Sequence, residues 1–364
     1  MNSTPRISVL MTVFNAGRFL AESVESILAQ RFEDFEFVIV DDGSTDGSVA
    51  LLESYASRDR RIRLFCNSAN SGQTACLNQG LNKCRAEWVA RQDADDLSAP
   101  RRLAAQWQAI QKNPSLILLG VNGWVIAEVA GSVGMIHAPV ADAGIRWSLP
   151  FRNPFIHTGV IFRRLHRDGS PVRYDPKFRI CQDWELWSRL SEDGPLANLP
   201  DRLVAYRHSK NSLSNNFSER TRMENCTIAG DNWRKNFPAS DLTGKEADLL
   251  RSFREGMDPD LWPAFRSLYA SARTGWCASK RARNRQSEAV HMIQAAGALA
   301  GTSPHAAASA ILQAFATDPA WTAKTLSRAA AGKMLSLMVR MSDYWGLKKM
   351  RPSQRPGPGT DPGR

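Results

Sequence analysis

The chain has 364 residues, 43% hydrophobic and 23% charged, with 47 Lys and Arg against 36 Asp and Glu, a net charge of +11. That composition suits a globular protein holding one domain of roughly 200 to 250 residues plus an extension, and it excludes a disordered chain. Six cysteines with no Cys-x-x-Cys pair and no histidine at zinc spacing exclude a disulfide scaffold or zinc module, and read as reduced, mostly buried thiols of a cytosolic protein.

Ile7 to Val13 is an apolar, β-branched run of strand length, broken by Phe14-Asn15-Ala16-Gly17. Arg18 to Gln30 has helical spacing, with Phe19, Leu20, Val24, Ile27 and Leu28 on one face. Phe35 to Val40 is a second strand, ending abruptly in Asp41-Asp42-Gly43-Ser44-Thr45-Asp46. A β-α-β order of this kind predicts parallel neighbours. The turn offers carboxylates and backbone N–H groups to a base or ribose, and Asp46 also reads as a cap for the next helix; both roles are expected, filled by different residues.

Trp88-Val89-Ala90 runs into Arg91-Gln92-Asp93-Ala94-Asp95-Asp96. This reads as a buried strand that stops and leaves an acidic cluster at its carboxyl end, where ligands bind in open α/β sheets. Buried carboxylates need a cation or hydrogen-bond donors. Two Asp flanking one small residue suit a hard divalent ion that also grips a diphosphate. A solvated acidic turn is the plainer reading of the same residues. Ser115 to Val133 is apolar but broken by Gly120, Asn122, Gly123 and Glu128, so it predicts one or two strands and a turn, not a membrane span. Leu203 to Tyr206 is a further strand, followed by Arg207 and His208.

The run Ser8 to Asn15, the segment Ser26 to Gln30 and the turn Val40 to Asp46, with Asn70-Ser71-Gly72-Gln73 and Leu77-Asn78-Gln79-Gly80, together resemble the family 2 glycosyltransferases of GT-A fold. The likeness continues through Asp93 to Asp96, Pro100 to Leu103, His157 to Arg163, Tyr174 to Phe178, Gln182 to Trp187 and Tyr206 to His208, and so covers about residues 5 to 215. It implies a Rossmann-like, mostly parallel sheet flanked by helices. A nucleotide-sugar half spans about 1–100 and an acceptor half about 101–215. It further implies an inverting hexosyl- or N-acetylhexosaminyltransferase taking a nucleotide diphosphate donor, UDP-sugar being favoured, to a saccharide or lipid-linked acceptor in surface polysaccharide synthesis. By the same resemblance Asp95 ligates Mn²⁺ or Mg²⁺, with Asp93 as ligand or support and His208 as a further candidate. Thr12, Phe14, Asp42, Gly72, Asn78, Asp93 and Asp96 line the donor. Asp183 is the general base, with His157, Gln182 and Trp184 on the acceptor side. Gln182 stands where many relatives have Glu, which removes one negative charge beside the base. Asp183 reads alternatively as a helix cap, with Trp184, Leu186, Trp187 and Leu190 as core.

Two other functions remain open at this stage. A nucleotidyltransferase also uses strand-end Asp residues, but the first turn carries one glycine where a phosphate loop would carry several. The same lack of G-x-G-x-x-G excludes a dinucleotide oxidoreductase. A catalytically inactive nucleotide-sugar-binding subunit would have no need of Asp183.

From Ala270 onward lie 14 of the 47 basic residues and 4 of the 36 acidic ones, so that stretch holds +10 of the net charge. Residues 216–350 read as a helical extension, in six segments from Glu219–Asn236 to Ala320–Met341. Ser327 to Met350 is basic and amphipathic. It reads either as a helix lying on an anionic membrane, which would place a cytoplasmic enzyme peripherally on the inner face of the cell membrane, or as a helix packed on its own module or a second subunit. No nucleic-acid motif accompanies the charge. No secretory signal is expected at the start, and 351–364, rich in Pro and Gly, reads as disordered.

Overall fold

The computed structural model describes residues 4–127, 133–136, 138–208 and 219–236. Strand β1 (Ile7–Val13) leads through helix α1 (Leu20–Leu28) to β2 (Phe35–Asp41). Helix α2 (Ser48–Ala56) leads to β3 (Ile62–Cys66), and α3 (Gln73–Lys83) to β4 (Trp88–Asp93). There follow β5 (Leu97–Ser98), α4 (Arg102–Lys112), β6 (Leu118–Ala127), β7 (Val133–Ile136), α5 (Asp142–Ser148), β8 (Ile161–Arg163), α6 (Gln182–Asp193), β9 (Leu196–His208) and α7 (Glu219–Asn236).

The strands form one sheet ordered β3-β2-β1-β4-β8-β6-β9-β5, with β7 on β6. The first four are parallel, as the β-α-β pattern predicts. The second half is mixed: β8 runs antiparallel to β4 and β6, β9 runs parallel to β6, and β5 and β7 are antiparallel to their neighbours. The sheet is therefore wholly parallel across β3-β2-β1-β4 and mixed beyond it. All seven residues of β2 are buried, and in β1 only Thr12 is partly exposed. That is how a parallel strand covered on both faces reads.

Two apolar layers cover the faces. On one, Leu10, Val38 and Val40 meet Cys76, Leu77 and Leu81 of α3, together with Trp184 and Trp187 of α6. On the other, Val9, Met11 and Ile39 meet Val24 and Ile27 of α1, Leu52 of α2 and Leu103 of α4. Gly80 lets α3 lie close to the sheet, since a Cβ there would fall 2.3 Å from Leu10 Cδ1. Glu36 is the charged exception inside β2. Its carboxylate accepts from Ser8 Oγ at 2.6 Å, Arg63 Nη1 at 2.7 Å and Arg85 N and Nε at 2.7 and 2.8 Å. Burial would raise its pKa, but these donors outweigh burial and hold it below the usual value.

The first helix is shorter than its spacing suggests. Asn15 and Gly17 both adopt positive φ, 48° and 55°, and a 3-10 turn at Gly17–Phe19 precedes α1. At the other end, α7 matches the expected Glu219–Asn236, yet it is part of the catalytic packing. Ile228 and Trp233 belong to the same apolar cluster as Trp184 and Trp187, and Asn232 Nδ2 donates to Ser188 Oγ at 2.8 Å. Packing thus runs past residue 215. The later expected helices, the basic stretch 327–350, Cys277 and the tail lie outside the described residues. Among the described residues five cysteines stand outside any disulfide, and no helix is long and apolar enough to cross a membrane.

Candidate active site

Because β1, β2 and β4 are parallel, their carboxyl ends share one edge. The register aligns Thr12 with Asp93 and Val13 with Asp41. Phe14, half exposed, follows directly. The two turns are stitched together: Asn15 N donates to Ser44 Oγ, Thr45 N to Asn15 Oδ1 and Gly17 N to Asp46 Oδ2, all at 2.8–2.9 Å. Asp46 Oδ1 also accepts from Ser48 N, the first residue of α2, but the cap position belongs to Gly47, so Asp46 braces the helix start from one residue before the expected cap. Asp41 Oδ1 accepts from Gly43 N and Ser44 N, so Asp41 orients the turn. Gly43 (φ 78°) passes so close to Ala69 that a Cβ would lie 2.9 Å from its carbonyl carbon.

Asp42 organises the opposite loop. Its Oδ1 accepts from Asn67 Nδ2, Ser71 N and Ser71 Oγ, and its Oδ2 from Gly72 N, all within 3.0 Å. Burial opposes ionisation, but these four donors keep its pKa below the usual carboxylate value. Asp42 and Gly72 are therefore brought together at the N-terminus of α3. Asn78, expected at the donor, is engaged elsewhere. Its amide bonds at both ends to the backbone of Tyr174, at 2.8 and 2.9 Å, and ties α3 to the segment between β8 and α6.

Asp93, Asp95 and Asp96 close the edge. Burial, then the charge of Asp93, pushes the Asp95 pKa up to about 6. Asp96 is buried, and burial together with Asp95 raises its pKa well above the ordinary value. Its Oδ1 accepts from Arg207 N at 2.7 Å, while Oδ2 is buried with no partner. Arg207 Nε bonds to the Asp95 carbonyl, and its Nη2 pairs with Glu22. His208 ends β9 in register with Ala127; its side chain lies outside what is described. Among the described residues no group of three or more His, Cys, Asp or Glu forms a ready metal cage. The set nevertheless fits a hard cation. It offers oxygen donors only, and it holds mutually repelling carboxylates with one buried oxygen unpartnered.

Arg91, unflagged by sequence reasoning, is the hub behind this cluster. It is fully buried, donating to Leu10 O and Asp93 Oδ1 at 2.5 Å and to His157 Nε2 at 3.1 Å. An imidazole that accepts at Nε2 carries its proton on Nδ1, which faces Asp93 Oδ2 at 3.7 Å. Burial, then Arg91, lowers the His157 pKa and keeps the ring neutral. His157 was expected on the acceptor side. It lies 3.1 Å from Tyr174 Oη and against the Trp187 ring.

Asp183 lies in the first turn of α6, where a carboxylate suits the helix dipole. The helix cap is Cys181, not Asp183. Asp183 Oδ1 accepts from Trp184 N, and Oδ2 from Asn153 Nδ2 at 2.6 Å. It heads the helix that carries Trp187, whose ring lies against both His157 and Tyr174. Gln182 is buried. Its Nε2 donates to Gln73 Oε1 across to α3, and its Oε1 is unpartnered. Trp184 is a correction: it is 1% exposed, with its indole N–H on Leu149 O, and belongs to the core and not to an acceptor wall.

The profile of Glycosyl transferase family 2 matches residues 8–163. The protein named as a glycosyltransferase, EpsE, of Bacillus subtilis (strain 168) is 32% identical over 257 residues, covering 70% of this chain and 91% of that one. The O-antigen biosynthesis glycosyltransferase WbnJ of Escherichia coli is 31% identical over 215 residues, covering 57% and 81%. In structure, S. aureus TarS 1–349 with UDP-GlcNAc superposes with a TM-score of 0.52 at 17% identity, covering 81% of this chain and 83% of that one. That likeness is one of fold, and it agrees with the GT-A arrangement of a mixed α/β sheet with flanking helices. The fold, the strand-end carboxylates, the profile and the EpsE match converge, and the chain belongs to the family 2 glycosyltransferases.

Proposed function

We propose that this chain transfers a sugar from a UDP-sugar to a saccharide or lipid-linked acceptor, with inversion, in surface polysaccharide synthesis. The observation that carries this reading is the shared edge: Asp93 ends β4 with Asp95 and Asp96 just beyond it, Thr12 and Phe14 flank the end of β1, Asp42 follows β2, and Asp183 heads α6, whose Trp187 lies against His157 and Tyr174. The O-antigen role in the name of WbnJ and the UDP-GlcNAc held by TarS support the pathway and the nucleotide.

In this reading Phe14 stacks on the base, while Thr12, Asp42 and the Gly72 turn shape the nucleoside pocket. Asp95 would hold Mn²⁺ or Mg²⁺, with Asp93, already held by Arg91, in support, and Asp96 would offer an acceptor to the donor's hydroxyls. A divalent ion there supplies charge neutralisation for the departing diphosphate. Asp183 takes the proton of the acceptor hydroxyl as its oxygen forms the bond to the anomeric carbon. The bond from that carbon to the phosphate oxygen breaks, and its electron pair leaves on the diphosphate. In-line attack inverts the centre.

The test is thermal melting against nucleoside diphosphates and nucleotide sugars, with and without Mn²⁺. A ligand that binds only the folded chain raises the melting temperature. A Mn²⁺-dependent rise with UDP or one UDP-sugar is the expected result. A rise with a guanine nucleotide alone removes the UDP assignment, and no rise with any of them removes the donor site.

A further inference from the structure

Resting on the reading of Asp183 as base, we propose that Glu224 of α7 is a positioning residue for it, clamping the three backbone amides that lead into α6. Its Oε1 accepts from Arg179 N, and its Oε2 from Ile180 N and Cys181 N, each at 2.9 Å. Asp183 is two residues further on.

Three consecutive N–H groups converging on one carboxylate fix three peptide planes. They therefore set where α6 begins and how it is rotated about its axis. The cap residue Cys181 offers no side-chain cap bond to replace this. The carboxylate is 6% exposed, so each donor it lost would face a site largely shut off from water. Arg220 Nε, one turn earlier on α7, holds the outer side of the carboxylate at 3.0 Å. Burial works against its charge, yet the three amides and Arg220 keep its pKa below the usual value. Other contacts dock α7 without this clamp: Trp233 and Ile228 in the core, and Asn232 on Ser188. Glu224 is thus separable from the docking of its helix. A helix 56 residues past the end of the family profile sets the direction of the proposed base.

The experiment compares Glu224→Gln and Glu224→Asp with the parent chain, with Asp183→Asn, and with Lys235→Ala, a change on the same helix as Glu224 that removes only an exposed ion pair to Glu192 of α6. Two quantities are read well below every melting temperature. One is turnover of the nucleotide sugar selected by melting, UDP-GlcNAc first. The other is amide hydrogen exchange over 179–185. Glu224→Gln should lower kcat roughly 10- to 100-fold, the scale of a small misplacement of a reacting group, with donor KM within about twofold. Exchange over 179–185 should quicken while β1 and β4 stay protected. Glu224→Asp should recover part of kcat, and Lys235→Ala should match the parent. Parent-like kcat and exchange in Glu224→Gln overturns the proposal. So does a joint loss of kcat, donor binding and melting temperature, which would mark a residue of the fold at large. If Asp183→Asn turns over normally, or the parent turns over nothing, the base reading fails. The clamp then stands or falls on the exchange data alone.

Discussion

The guanidinium of Arg91 lies 2.5 Å from Asp93 Oδ1, with Arg91 itself wholly out of contact with solvent. A buried cation of this kind persists only when its donors are satisfied, and here they reach Leu10 O, Gln92 O and His157 Nε2 as well. The planar fork is what allows one side chain to serve β1, β4 and the His157 turn at once.

Arg91→Lys keeps the charge but cannot reproduce that fork. The expected cost is about 2–4 kcal/mol of stability, because acceptors and Asp93 lose partners in a buried place. Denaturant unfolding measures it. A change below about 0.5 kcal/mol, the ordinary range for surface substitutions, would show that the network does not need Arg.

Asp95 and Asp183 should separate donor binding from transfer. Asp95→Asn should abolish the Mn²⁺-dependent rise in melting temperature with nucleotide. Asp183→Asn should keep that rise and lower turnover by roughly 100-fold or more, the scale of a lost general base. Unchanged Mn²⁺ dependence in Asp95→Asn removes it from the metal site; near-parent turnover in Asp183→Asn removes it as base.

The parallel half was legible because its signals are local. The run Ile7–Val13 is apolar, β-branched and closed by a turn, and the strand has those bounds. The second half depends on pairings between strands remote in sequence. Nothing local to Leu118 says that it aligns with Leu196 as well as with Phe162. The acidic cluster could be read, since carboxylates at a strand end demand partners. Arg91 was legible only as part of that run, without a role, because its acceptors Leu10 O and His157 Nε2 come from segments remote in sequence. Trp184 misled for a related reason: an aromatic next to an acid reads as a binding wall, but its helical position faces the core. Asn78 sits in a motif expected near a donor, and the chain uses it to fasten Tyr174.

Glu36 gives the fold an acid-sensitive joint. Its pKa is lowered in the folded protein, so its contribution is full above the unfolded value, 4.5. It is lost as pH falls through the lower folded value, since the unfolded chain binds the proton first. Stability should therefore decline below about pH 4.5, and Glu36→Gln should flatten that part of the decline while lowering stability at pH 7. Urea midpoints of both proteins across pH 3–7 measure this; parallel curves would exclude Glu36 as a contributor.

Trp233 tests whether α7 belongs to the catalytic unit. Its ring is fully buried and packs edge-on against Phe151, with centroids 5.9 Å apart. Through the same cluster it stands in one layer with Trp187, which touches His157 and Tyr174. Trp233→Ala should cost about 3–5 kcal/mol, the range for truncating a buried aromatic. If α7 and the sheet share one cooperative core, the far-ultraviolet and tryptophan signals should still move together, at a lower denaturant midpoint. A split, with the sheet transition left at its parent midpoint and only a small early step lost, would make α7 an appendage. The acceptor block would then have to hold the start of α6 without it.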